Sequence, residues 1–277
     1  MIKGTSNVLE VNGLYVKVKT AQGMVPLVHD VNLTIKPGTV LGLVGESGSG
    51  KTVTSLSLLQ LMDRKTTSIE GSVRLNGREL NGLRPEAMRS IRGKEIALIM
   101  QNPMNAFSPV FTIGHQFVET IRMHTTLTKK QAVELAIASM REVNLPDPTE
   151  LMKRYPFQLS GGMLQRVMIV ITTSLRPSLI IADEPTTALD VINQLQVLRQ
   201  LDRIRLEYGT SILLISHDLS VIAEIADMVA VMQHGRIIEQ AGVYELFDEP
   251  KHDYTKKLLD ARPTLKNNQQ TRDFVLS

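Results

Sequence analysis

Gly45-Glu46-Ser47-Gly48-Ser49-Gly50-Lys51-Thr52 is the stretch that decides the fold. It matches the phosphate-cradle pattern G-x-x-x-x-G-K-[ST] at every fixed position. The apolar run Val40-Leu41-Gly42-Leu43-Val44 comes directly before it and reads as a buried strand. A helical pattern opening at Thr52 and carrying Val53, Leu56 and Leu59 follows. Strand, glycine loop and helix N-terminus together form the context the pattern needs. Glycines let backbone N–H groups turn toward an anion, and the helix dipole adds partial positive charge there. Gly45 to Val53 are therefore the candidate polyphosphate-binding residues. Lys51 is placed to reach the β- and γ-phosphates, and the Thr52 hydroxyl to ligate Mg²⁺. The plain alternative is a glycine-rich turn that binds nothing.

Composition narrows the class. The chain has 277 residues, 43% of them apolar, enough for one large domain or two small ones. Cysteine is absent, which excludes disulfides, thiolate zinc and iron–sulfur clusters and fits a reducing cytoplasm. The formal charge is 31 − 28 = +3, too slight a surplus to argue for nucleic acid. The first seven residues carry no apolar signal-peptide core. Runs such as Val167 to Ile171 and Met228 to Met232 are too short to span a bilayer, so any membrane role comes through a partner.

Outward from the glycine loop, the pattern predicts an α/β fold. Residues 7 to 40 read as β-rich, with alternation in Leu14 to Lys19 and Val31 to Ile35 closing on Pro37-Gly38. Gly71 to Leu75 with Asn76-Gly77 reads as a strand entering a tight turn. From about Asn102 to Leu159 helical patterns dominate, broken by prolines, which suggests a helical insertion over about 102–175. Strands then alternate with helices at Leu179 to Ala182, Ser211 to Ser216 and Met228 to Met232, which implies a mostly parallel, covered sheet. Gln233-His234-Gly235 reads as a hairpin turn. Residues 7–262 form the expected domain, and 263–277 a mobile polar tail.

Leu179-Ile180-Ile181-Ala182-Asp183-Glu184 is an apolar strand ending in two carboxylates. Ligands collect at the carboxyl ends of parallel strands. Asp183 is the candidate Mg²⁺ residue, and Glu184 the candidate group that orients or deprotonates an attacking water. A solvated acidic turn beside Pro185 is the alternative.

Leu159-Ser160-Gly161-Gly162-Met163-Leu164-Gln165-Arg166 resembles the signature sequence of ABC-type ATPases. Leu164, Val167, Met168 and Ile171 follow at helical spacing, so Ser160, Gly161 and Gly162 open a helix and offer a second anion site. A glycine-containing cap without a ligand is the alternative. In the resembled family two ATPase domains pack head-to-tail, each signature capping the nucleotide on the other's P-loop. The resemblance extends in order over about residues 8 to 260. Gln101, after the apolar run Ile96 to Met100, matches the glutamine that senses Mg²⁺ and the γ-phosphate. Ala188-Leu189-Asp190 matches the D-loop that crosses the dimer interface. His217 matches the switch histidine at the γ-phosphate, although a lone histidine at a strand end is more often structural. The implied fold is a P-loop NTPase core with a mostly parallel sheet, an N-terminal antiparallel β subdomain and a helical signature subdomain.

MQNP (100–103), YPFQLSGGMLQR (155–166), IADEPTTALD (181–190) and Lys251-His252-Asp253-Tyr254 look like the peptide and nickel importer branch. MQN in place of FQD, residues 231–240, and an end at Ser277 without a cysteine-bearing extension lean toward nickel or metal-chelate import. A di- or oligopeptide importer is the alternative. The resemblance implies ATP and Mg²⁺ as cofactors, two membrane permeases, a second ATPase subunit and an extracytoplasmic solute-binding protein as partners. It places the chain on the cytoplasmic face of the membrane. Two positions depart from the family. Val18 stands where an aromatic residue usually stacks on adenine, with Tyr15 on the opposite strand face. Ile171-Thr172-Thr173-Ser174 replaces alanines, an expected packing adjustment. Phe107, Phe111 and Phe117, near Pro103 and Pro109, suit a groove that receives a permease helix, although each is also a core candidate. Rival classes are a non-transport ABC ATPase acting on DNA or ribosomes, and a module that holds ATP without turnover. The first usually carries paired ATPase domains, a coiled coil or zinc cysteines, and Glu184 with His217 speaks against the second.

Overall fold

The computed structural model describes residues 7–187 and 189–260. The expected tail at 263–277, the last two residues of the expected domain and Ala188 of the D-loop lie outside them. The strands are β1 (Leu9–Thr20), β2 (Gly23–Ile35), β3 (Val40–Val44), β4 (Thr67–Leu75), β5 (Arg78–Glu79), β6 (Ile96–Ile99), β7 (Leu179–Asp183), β8 (Ser211–Ser216), β9 (Met228–Gln233) and β10 (Arg236–Gly242). The helices are α1 (Lys51–Leu58), α2 (Pro85–Ile91), α3 (Ile113–His124), α4 (Lys129–Glu142), α5 (Pro148–Leu151), α6 (Gly161–Thr173), α7 (Val191–Tyr208), α8 (Leu219–Ile225), α9 (Val243–Asp248) and α10 (Asp253–Asp260).

Two sheets form. β2-β1-β4-β5 is antiparallel, and its alternating residues Leu9, Val11, Leu14 and Val16 are buried. The larger sheet has the order β10-β9-β3-β8-β7-β6 and is parallel except where β10 returns on β9 through the turn at His234-Gly235. Every residue of β3, β7 and β8 is buried, which explains why these strands read as continuous apolar runs. One apolar cluster lies between this sheet and the antiparallel one. The other lies on the opposite face, where α6, α7 and α8 cover it and it continues into α3 and α4. Helices α3 to α6 all fall between β6 and β7, where the sequence suggests an insertion.

The helix expected from Thr52 forms, opening one residue earlier at Lys51, and Leu59 just past its end is buried in the core. Thr54, Ser55, Ser57 and Leu58 face inward, while Val53 and Leu56 are only partly buried and Leu59 lies past the helix end. The hydroxyls bond back within the turn: Thr54 to the Gly50 carbonyl, Ser55 to Thr52 and Ser57 to Val53. Satisfied in this way, small polar side chains are buried at little cost and the helix approaches the sheet closely.

Candidate active site

The register of the large sheet assembles the site. Val44 lies opposite Ser216, Asp183 opposite Ile215, and Ile99 opposite Ala182. The loops leaving β3, β6, β7 and β8 therefore emerge side by side at the carboxyl edge. They deliver the glycine loop, Gln101, Glu184 and His217 to one cleft of about 520 Å³, with Asp183 buried beside Glu184 at the end of β7.

The loop is fixed from behind. A Cβ on Gly45 would sit 2.2 Å from the Met232 carbonyl oxygen of β9, so only glycine fits there. Gly235 donates its N–H to the Ser49 carbonyl at 2.8 Å. Gly50, at φ +108°, opens α1, and no side chain caps that helix. Its first N–H groups are thus left for an anion. Ser47, Gly48, Gly50, Lys51, Thr52 and Val53 line the cleft, whereas Gly45, Glu46 and Ser49 form the back of the loop. Lys51 Nζ donates to the carbonyls of Gly45 (2.7 Å) and Glu46 (2.9 Å). Burial pulls its pKa below the ordinary lysine value, while Glu184, Asp183 and Glu46 pull the other way.

Asp183 is buried at the end of β7. Its Oδ2 accepts from Ser55 Oγ at 3.4 Å, and its Oδ1 is buried without a partner. Burial pushes the carboxyl pKa up, opposed by a hydrogen bond from Thr52 and reinforced by Glu184. A buried orphan carboxylate oxygen beside a threonine hydroxyl is a hard donor set, and it fits Mg²⁺.

Glu184 stands in left-handed backbone geometry, φ +49°, with its N–H on the Ile215 carbonyl of β8. Such strain persists where the surroundings over-determine it. Here three side chains do so. Gln101 Nε2 (3.0 Å) and Thr187 Oγ1 (2.9 Å) donate to Oε2, and His217 Nδ1 lies 3.1 Å from Oε1. Thr187 is a residue the sequence reading passed over. Its signal was its place three residues after Glu184, within reach of that carboxylate on a tight turn.

Ser160, Gly161, Gly162 and Asp190 are not in this cleft. Ser160 Oγ caps α6 by accepting from the Met163 N–H at 3.3 Å. Asp190 caps α7 by accepting from the Asn193 N–H at 2.9 Å and holds its side-chain amide. A Cβ on Gly162 would meet that Asn193 amide at 3.2 Å, so the starts of α6 and α7 adjoin. The two candidate groups share a face of their own. Val18 also lies outside the cleft lining, paired with Val25 and Thr67; besides Val53, the apolar side chain that lines the cleft is Leu27 of β2. Larger hollows of about 870 and 650 Å³ lie among the helices and hold none of these groups.

A nucleotide-triphosphate cradle, an acidic strand end and a glutamate–histidine–glutamine cluster on one parallel sheet define an ATP-hydrolysing cassette. A family model described as ABC transporter matches residues 28–187. A putative peptide import ATP-binding protein of Brucella abortus is 46% identical over 261 residues, covering 94% of this chain and 79% of the relative. A probable peptide ABC transporter ATP-binding protein of Sinorhizobium fredii is 44% identical over 243 residues, covering 87% and 72%. The dimeric structure of a post-hydrolysis state of the ATP-binding cassette MJ0796, bound to ADP and Pi, superposes with a TM-score of 0.76 at 22% identity, covering 85% and 98%. That of cbiO1 from Clostridium perfringens gives 0.73 at 22%, covering 88% and 91%. The chain belongs to the ABC transporter ATPase family and has its cassette fold. The relatives are named for peptide import, so the lean toward nickel or metal chelates finds no support among them. The described residues hold no helix long and apolar enough to cross a membrane.

Proposed function

We propose that this chain is the ATP-hydrolysing subunit of a bacterial importer of di- or oligopeptides, carried on the cytoplasmic face of the membrane by two permeases. The observation that carries the cargo class is the naming of relatives 42–46% identical to it. Its ATPase partner is a second cassette, a paralogue or another copy, and an extracytoplasmic solute-binding protein delivers the peptide.

The geometry supports the following roles. The N–H groups opening α1 and Lys51 hold the β- and γ-phosphates. Thr52 and Asp183, with Gln101 nearby, would hold Mg²⁺; the chemistry a bound Mg²⁺ supplies is neutralisation of charge on the phosphate oxygens. Glu184 takes a proton from the attacking water. Gln101 and Thr187 engage Oε2 and only His217 adjoins Oε1, so the carboxylate keeps lone pairs for a water while these three side chains orient it. Gln101 and His217 are the two that would relay to Glu184 what occupies the γ-phosphate position. Ser160, Gly161, Gly162 and Asp190 lie off the cleft, which supports a composite site whose lid comes from the partner cassette. The test is affinity isolation of the tagged chain from membranes. Permeases, a second cassette and a peptide-loaded binding protein are expected; recovery with nucleic acid or ribosomes, and no permease, would overturn the reading.

A further inference from the structure

The segment Lys251-His252-Asp253-Tyr254 ends on the phosphate loop. Glu46 donates its N–H to the Tyr254 hydroxyl at 3.1 Å. The carbonyl of that same peptide unit is Gly45 O, which accepts from Lys51 Nζ at 2.7 Å. One peptide plane is therefore held at both edges, by the C-terminal tyrosine and by the phosphate-binding lysine. Tyr254 is 9% exposed, and burial pushes its phenol pKa above the ordinary 10.0, so it stays a neutral hydroxyl. The segment is tied down in turn. Lys251 and His252 donate their N–H groups to the two oxygens of Glu239 on β10, at 2.7 and 3.0 Å. His252 Nδ1 accepts from the Tyr254 N–H at 3.1 Å.

We infer that Tyr254 is a positioning residue for nucleotide binding: its hydroxyl, anchored through Glu239, fixes the Gly45–Glu46 peptide plane so that Lys51 transfers from that carbonyl to phosphate without dragging the loop. A glycine-rich loop has many peptide orientations to lose, and presenting its N–H groups costs less when one plane is already set. The Ser49 end of the loop has its own brace in Gly235, so the Glu46 end is the one that depends on the C-terminal segment. The inference rests on polyphosphate binding at residues 45–52.

The test uses the full chain as wild type, Tyr254→Phe, Glu239→Ala, the double variant and Lys51→Ala. The probe is N-methylanthraniloyl-ATP with Mg²⁺, alongside steady-state phosphate release and thermal melts without nucleotide. Tyr254→Phe is expected to weaken binding and raise KM by about 3- to 10-fold, the size of one neutral hydrogen bond. Its kcat should stay within about twofold and its melt unchanged, since only a hydroxyl of one loop contact is lost. Glu239→Ala should act in the same direction, and the double variant should be no worse than the weaker single, because both act through one contact. Wild-type affinity in Tyr254→Phe, with binding lost in Lys51→Ala, would overturn the inference and leave the site intact. A lowered melt with kcat and KM changed together would reduce Tyr254 to packing and overturn it as well. Failure of the wild type to bind would remove the site reading itself.

Discussion

At the residue scale the account turns on two adjacent carboxylates with different surroundings. Glu184 is held by Gln101, Thr187 and His217. Glu184→Gln should keep ATP binding and lose about 10²- to 10⁴-fold in turnover, the usual worth of a general base. Thr187→Val should bind ATP normally but lower kcat by about 3- to 10-fold, one hydrogen bond's worth of positioning; single-turnover phosphate release separates the two. Asp183 makes a prediction of opposite sign. Its folded pKa is raised by burial, so the folded chain binds that proton more tightly than the unfolded one. The stability this gives is present below the unfolded value near 3.8 and is lost as pH rises through the folded value. Asp183→Asn should therefore raise the melting temperature at pH 7, measured without Mg²⁺ or nucleotide, with no gain at the acid end, while abolishing hydrolysis. An unchanged or lowered melt at pH 7 would mean that the carboxylate is not desolvated as described.

At the scale of elements, two helix N-termini do different work. α1 starts behind Gly50 with no capping side chain, inside the cleft; α6 starts at Ser160, which caps its own helix outside it. Ser160→Arg should leave nucleotide binding by the isolated chain intact and block ATP-driven pairing, scored by size-exclusion with a Glu184→Gln background. Loss of binding by the isolated chain would contradict the composite site. The phenylalanines divide as burial dictates. Phe117 is fully buried and Phe107 nearly so, whereas Phe111 is 46% exposed and stacks on His115 at 4.6 Å. A polar change at Phe107 is expected to lower the melt. Phe111→Ser tests permease docking cleanly, with weaker pull-down and an unchanged melt as the expected result.

Much of this was legible in the sequence. β3 coincides with its apolar run and β8 with the expected 211–216, where buried serines flank the apolar run, because a strand buried on both faces selects mainly apolar residues. The glycine loop was legible as a phosphate-cradle pattern, Asp183 and Glu184 as the acidic end of an apolar strand in a parallel sheet, and His217 only through the family resemblance. α1 was legible as a helix, but the hydroxyl residues Thr54, Ser55 and Ser57 of its inner face are invisible to hydrophobic periodicity. The roles of Leu27 and Tyr254 were missed because they depend on long-range approach, Tyr254 and Glu46 lying 208 residues apart; that of Thr187, three residues from Glu184, was local and was passed over.

At the scale of the whole molecule, the chain is the ATPase member of a transporter family. ATP consumption has meaning only when coupled across an assembly. In the proposed assembly the cleft would supply phosphate binding and a base, and the face at the starts of α6 and α7 the lid of another chain's cleft. A tenfold nucleotide excess over Kd stabilises a binding-competent chain by about 1.4 kcal/mol, so ATP with Mg²⁺ should raise its melting temperature. Lys51→Ala should remove that shift, and its persistence would place the nucleotide elsewhere.

The most direct measurement is phosphate release by the reconstituted assembly in lipid vesicles: this chain, its partner cassette, the permeases and the solute-binding protein. The account predicts that di- or oligopeptide raises the rate, that nickel chelates do not, and that Glu184→Gln abolishes the stimulated rate. Stimulation by a nickel chelate with none by peptide, or a stimulated rate that survives Glu184→Gln, would contradict it.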